Sequence, residues 1–153
     1  MERDYPALAH HALAAGARVA APPPPARLTP ESPALEAMTD LRRLPASAIA
    51  TDRPSEEANA VMVARGIRLL FVEDAQRRVL GVITATDLLG EKPVRFMHER
   101  GLRRHEILVS DLMTPASALE ALDLQEVSHS QVGHVVATLK AAGRQHTFVT
   151  DEG

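Results

Sequence analysis

Along the chain the spacing of apolar residues changes period at definable points. "RPSEEANAVMVARG" (53–66) places Ala58, Val61, Met62 and Arg65 at steps of three and four, which predicts a helix. Pro54 suits its first turn, Glu56 and Glu57 favour the positive end of its dipole, and Gly66 suits the residue after it. Arg65, at the edge of the apolar stripe, must carry its charge to water along an aliphatic stem. Next come "RLLFVED" (68–74) and "RVLGVIT" (78–84), two short apolar strands with a hairpin-like connection. "ATDLLG" (85–90) opens a helix that Gly90 interrupts, and "KPVRFMHERG" (92–101) resumes it between Pro93 and Gly101. Upstream, "SAIATD" (47–52) is a short strand candidate, and the folded part opens near "SPALEAMTDL" (32–41). Ala7 to Ala21 is Ala-rich and predicts a marginal helix, after which "APPPPARLTPESP" (21–33) excludes regular structure and favours an extended spacer.

The pattern then returns. "VGHVVATLKAAGRQHTFVTDEG" aligns with "SEEANAVMVARGIRLLFVEDAQ" at a constant offset of 77 (143 − 66, 148 − 71, 149 − 72, 151 − 74). Similar lead-ins precede the copies, "EAMTD" around Met38 and "DLMTP" around Met113. An internal duplication accounts for these matches better than composition does. In register, the second copy's counterparts of Gly81, Thr84 and Asp87 fall at 158, 161 and 164, past Gly153. The expectation is therefore a second copy with its lead-in, helix and one strand, incomplete at its C-terminus. The organisation read from this is an Ala/Pro-rich arm over 1–34, a first unit with its following helix and linker over 35–110, and a second unit over 111–153.

Composition narrows the function. The chain has 153 residues with 45% hydrophobic, no Trp, one Tyr and three Phe, so its core must be aliphatic and base stacking on aromatics has little support. A formal net charge of −3 offers no basic footprint for nucleic acid. Without cysteine there is no disulfide framework, thiolate nucleophile or Cys-based zinc site. The start lacks the pattern of a signal peptide, and no apolar run reaches the roughly 20 residues of a membrane helix. A soluble, cytoplasmic protein is the expectation. The histidines (His10, His11, His98, His105, His129, His134, His146) show no recognised metal-ligand spacing. No nucleophile–base–orienter set stands out, so no enzyme activity and no cofactor are expected. "RGLRRHE" (100–106) reads as a solvated basic linker, with Arg103 and Arg104 the side chains a polyphosphate tail would use.

Two tandem units, each running lead-in, strand, helix, strand, strand, helix, with "VLGVITATDL" closing the first, resemble cystathionine-β-synthase (CBS) domains paired as a Bateman module. The resemblance covers about residues 36 to 153. It implies an α/β (α+β) fold of β-α-β-β-α repeats related by pseudo-twofold symmetry, with a flexible Pro-rich N-terminal arm. It further implies a regulatory module that binds AMP, ADP, ATP or S-adenosylmethionine between the units, and a homodimer formed through the pair. The family's motif of Gly, apolar, any, Thr or Ser, two of any type, Asp is met in full by Gly81, Val82, Ile83, Thr84, Ala85, Thr86 and Asp87. By resemblance Thr84 contacts phosphate, Asp87 contacts the ribose hydroxyls, and the "AIAT" and "RLLF" stretches, with Ile49, Ala50 and Leu70, line the base pocket; Arg68, between a helix end and a strand, is placed to reach a phosphate.

The residues themselves admit two readings of Thr84 and Asp87. Thr followed three positions on by Asp is a capping box, worth about 1 kcal/mol. Against that, Gly81 interrupts a Val/Ile strand where its missing side chain admits a close approach. A strand feeding a helix start also presents unpaired amides to an anion, and ionised Asp accepts hydrogen bonds from a diol. The alternatives for Leu70 and Ile49 are simple core positions, and for Arg68 a solvated side chain. The rival function is a structural or dimerisation module whose cleft is degenerate.

Overall fold

The computed structural model describes residues 6–24 and 26–152. Residues 1–5, Pro25 and Gly153 lie outside the described residues, and with them part of the arm and the position where the second copy is expected to stop. The helix expected between Ala7 and Ala21 is absent from the described residues, which show only a turn in which the Ala17 amide donates to the Ala14 carbonyl. Leu8, Leu13 and Val19 are almost fully exposed there. Propensity alone holds a helix this short only marginally, and no packed face reinforces it.

Strand β1 (Ala48–Ala50) pairs parallel with β2 (Leu69–Glu73), and β2 pairs antiparallel with β3 (Val79–Thr84), as the hairpin signal predicts. At the turn between them, Asp74 accepts from the amides of Gln76 and Arg78, and the Arg78 bond in particular holds its carboxyl below the usual range. Between β1 and β2 runs α1 (Ser55–Arg65), closed by Gly66 in the left-handed conformation. Its stripe packs as its spacing requires: Ala58 and Met62 are buried, and Arg65 reaches out to donate to the Ser47 hydroxyl at 2.9 Å. After β3 come α2 (Ala85–Leu89) and, beyond Gly90, α3 (Lys92–Arg100). Leu70 and Val72 of β2 point into one face of the sheet, where Ile83, Leu88, Ile107 and Leu112 close the core.

The second unit repeats this order. After α4 (Val109–Leu112) and the two-residue β4 (Thr114–Pro115), β5 (Ala121–Asp123) pairs parallel with β6 (Phe148–Thr150) around α6 (Val132–Ala142). Helices α1 and α6 are 77 apart at both ends (132 − 55, 142 − 65), and Gly143 is left-handed like Gly66. The strands β1 and β5 are only 73 apart (121 − 48), so the second unit carries four extra residues. They build α5 (Leu124–Ser128), which Asp123 caps by accepting from the Gln125 amide at 2.7 Å.

The lead-ins cross over. The Ser55 amide at the start of α1 donates to the Ile107 carbonyl at 2.9 Å, and the Val109 amide donates to the Arg53 carbonyl at 2.8 Å. In mirror fashion the Val132 amide at the start of α6 donates to the Ser32 carbonyl, and the Ala34 amide donates to the Ser130 carbonyl. The starts of α1 and α6, neither with a side-chain cap, are thus satisfied by the other unit's lead-in. Equivalent residues Phe71 and Phe148 meet with ring centroids 5.6 Å apart, as residues on a pseudo-twofold axis must. The hydrogen bonds between the first lead-in and α6 reach back to Pro30, whose carbonyl accepts from the Gly133 amide.

Candidate functional site

Strand β3 delivers Thr84 to the start of α2, where the extended backbone of Thr84 turns helical at Ala85. The Ala85 amide is drawn to the Arg68 carbonyl at 2.9 Å, which fixes the junction beside the start of β2. The capping box forms completely. Asp87 Oδ2 accepts from the Thr84 amide at 2.9 Å and from the Thr84 hydroxyl at 2.8 Å, while the Asp87 amide donates to Thr84 Oγ1 at 3.3 Å. The other carboxylate oxygen, Oδ1, accepts from Lys92 Nζ at 3.1 Å. Lys92 also donates to the Leu112 carbonyl, so one ammonium ties α2, α3 and α4 together. The Asp87 side chain is 17% exposed and that of Lys92 is 44% exposed, which leaves the ion pair open on one side.

Lys92 is the residue that sequence reasoning missed. It lies beyond the Gly90 break, five positions from Asp87, and no local pattern connects the two.

The remaining candidates fall into three places. Thr86 and the Arg68 side chain are exposed next to the junction. Ala50 is exposed but faces Glu73 in register, four residues along β2 from Leu69, which faces Thr84. At strand spacing that is about 13 Å along the sheet. Leu70 and Ile83 are fully buried and Ile49 nearly so, all in the core. All three belong to the apolar core that they share with Ala58 and Met62 of α1 and Leu88 of α2, the place that the core alternative gives Ile49 and Leu70. Gly81 receives a correction of its reason. A Cβ there would stand 2.2 Å from the Thr114 carbonyl oxygen, so what approaches its backbone is β4, paired through Gly81–Pro115 and Val82–Thr114.

Among the described residues no cluster of His, Asp and Glu is arranged to hold a metal ion, and no helix is long and apolar enough to cross a membrane. Arg104 makes a distant ion pair with Glu56 at 3.9 Å and stands exposed with Arg103, away from the junction's hydrogen bonds.

No family model and no curated protein matches the sequence. Solved structures do match the fold. A CBS-domain-containing protein of Agrobacterium tumefaciens superposes with a TM-score of 0.56 at 23% identity, over 74% of this chain and 78% of its own. A protein with CBS domains from Burkholderia ambifaria gives 0.57 at 19%, over 78% and 79%. CBSX2 of Arabidopsis thaliana, in complex with AMP, gives 0.50 at 18%, over 72% and 76%. Duplicated strand–helix–strand units, reciprocal lead-ins and a self-contacting Phe pair are thus set in a known architecture: the chain has the fold of CBS-domain proteins.

Proposed function

We infer that the chain is a cytoplasmic regulatory module, without chemistry of its own, that binds an adenosine-containing nucleotide (AMP, ADP, ATP or S-adenosylmethionine) at the β3–α2 junction. The observation that carries this reading is the half-open Asp87–Lys92 pair beside Thr84. Asp87 Oδ2 is committed to the cap, but Oδ1 holds only the partly exposed Lys92 ammonium, which ribose hydroxyls can replace. Released from Asp87, Lys92 is a cation for the phosphate, alongside the Thr84 hydroxyl and Arg68. Thr86 borders the exposed side. The AMP complex of CBSX2 supports the ligand class. Homodimerisation through the paired units belongs to the same reading, and binding acts by favouring one arrangement of the pair over another.

Thermal unfolding with AMP, ADP, ATP and S-adenosylmethionine tests it. Ligand at 100 times its dissociation constant adds about 2.7 kcal/mol, about 5–10 °C in Tm for a chain of this size. Asp87→Asn keeps one oxygen for the Thr84 cap and loses the second, so it should fold and lose the shift. A variant that shifts like wild type rejects the ribose role. Absence of a shift with every nucleotide at millimolar concentration rejects the reading.

One observation favours a second reading, a structural or dimerisation module with a degenerate cleft. Both Asp87 oxygens already have partners, and the capping box is complete without a ligand. It expects no nucleotide shift and an Asp87→Asn cost confined to the cap and the ion pair.

A further inference from the structure

Lys92 holds two places at once. Its Nζ donates to Asp87 Oδ1 at 3.1 Å and to the Leu112 carbonyl, and Asp87 is its one ion-pair partner among the described residues. The Thr84 amide and hydroxyl both bond Oδ2, which leaves Oδ1 to the ammonium. Lys92 is therefore neutralised by the very oxygen that the nucleotide reading gives to ribose. The other charges nearby do not replace that partner. Glu91, the next residue back, has a side chain 95% exposed and stands 3.9 Å from Arg95. Arg68, whose carbonyl accepts from the Ala85 amide at the junction, is a second exposed cation. Ribose hydroxyls are uncharged, so a sugar that takes Oδ1 satisfies the carboxylate and leaves the ammonium with a main-chain carbonyl alone. An ammonium on a flexible stem turns readily to a new anion, and a charge-assisted hydrogen bond is roughly twice as strong as a neutral one. The ligand that meets these requirements carries its own negative charge beside the sugar.

We propose that Lys92 determines the specificity of this site, selecting adenosine ligands that bear a phosphate over uncharged adenosine and over the sulfonium S-adenosylmethionine. The inference rests on the nucleotide reading and narrows it. A phosphate monoester carries about −1.5 to −2 charge at neutral pH. Set against Lys92 and Arg68, it restores the neutrality that ribose binding at Asp87 upsets. S-Adenosylmethionine brings a sulfonium, and the ammonium and carboxylate of its amino-acid end cancel, so it adds positive charge to cations that have lost their partner. Adenosine brings no charge and competes with Lys92 for Oδ1 without compensating it. Removing Lys92 therefore acts in opposite directions: phosphate ligands lose a cation, while adenosine gains an uncontested acceptor. A residue that merely tied α2, α3 and α4 together would weaken both alike.

Isothermal titration of the full chain with AMP, adenosine and S-adenosylmethionine tests this, at low ionic strength because salt screens exposed charges. The unaltered chain should bind AMP at least about tenfold more tightly than either of the others, the scale of one charge-assisted contact. Lys92→Met should weaken AMP by about tenfold and leave adenosine equal or tighter, and Lys92→Arg should keep AMP preferred. Equal affinity for AMP and adenosine in the unaltered chain overturns the proposal, as does S-adenosylmethionine binding as tightly as AMP. So does Lys92→Met weakening AMP and adenosine by the same factor. The ranking in the unaltered chain decides even where Lys92→Met does not fold. In each of these failures nucleoside binding persists, so the nucleotide reading stands while the selection falls. Binding of none of the three at millimolar concentration instead rejects that reading, and the selection with it.

Discussion

Replacing Gly81 by alanine is expected to destabilise the fold by about 1–3 kcal/mol, the range of overpacking a closed interior, and replacement by valine by more. The added Cβ would sit 2.2 Å from the Thr114 carbonyl oxygen and 3.1 Å from the Pro115 Cα. Both are backbone atoms, so no flexible side chain can swing aside. Either β3 bends away from β2 or β4 leaves the sheet, and β4 is only two residues long. Because β4 is the second unit's lead-in bound to the first unit's sheet, its release loosens the pair as well as the strand. Urea unfolding gives the cost, and exchange at the Val82 and Thr114 amides shows whether the β3–β4 pairing is what fails. A glycine kept open only for a ligand would predict the reverse, unchanged stability with weakened nucleotide binding. That result would overturn the packing account.

Gly81 also shows where a sequence stops being legible. Its oddness within a Val/Ile strand is visible locally, but the atom it accommodates comes from 33 residues further on (114 − 81). The same holds for Lys92, whose partners Asp87 and Leu112 meet only after α3 has folded back. What read correctly is what short-range physics decides. Pro54 and Gly66 bound α1, the hairpin follows from two apolar runs, and the T-x-x-D box caps α2. Duplication was legible because Gly66 and Gly143 both close helices with positive φ, a requirement that does not depend on the neighbours. The crossing of the lead-ins was not, since a main-chain amide that finds its partner in the other unit leaves no mark on residue type. Helix α5 was missed because its five residues replace a turn in the first copy and carry no stripe of their own. Ala7–Ala21 shows the opposite error, in which good propensity with nothing to pack against was read as structure.

The inequality of the two units predicts unequal mutations at equivalent positions. Met62→Ala should cost about 2–5 kcal/mol, because the 3% exposed side chain is surrounded by core and its removal leaves a dry cavity. Leu139→Ala, at the equivalent place 77 residues on, should cost about 1 kcal/mol or less, since its side chain already borders an open hollow and gives up little buried area. Denaturant midpoints at constant m-value measure the pair, and the two sites share no partners in the core cluster, so their effects should add. Exchange should follow the same division, with α1 and β2 opening only on global unfolding and α6 and β6 opening locally. Equal costs at the two positions would mean that Leu139 is enclosed in solution, and the open face of the second unit would then not exist in the free chain.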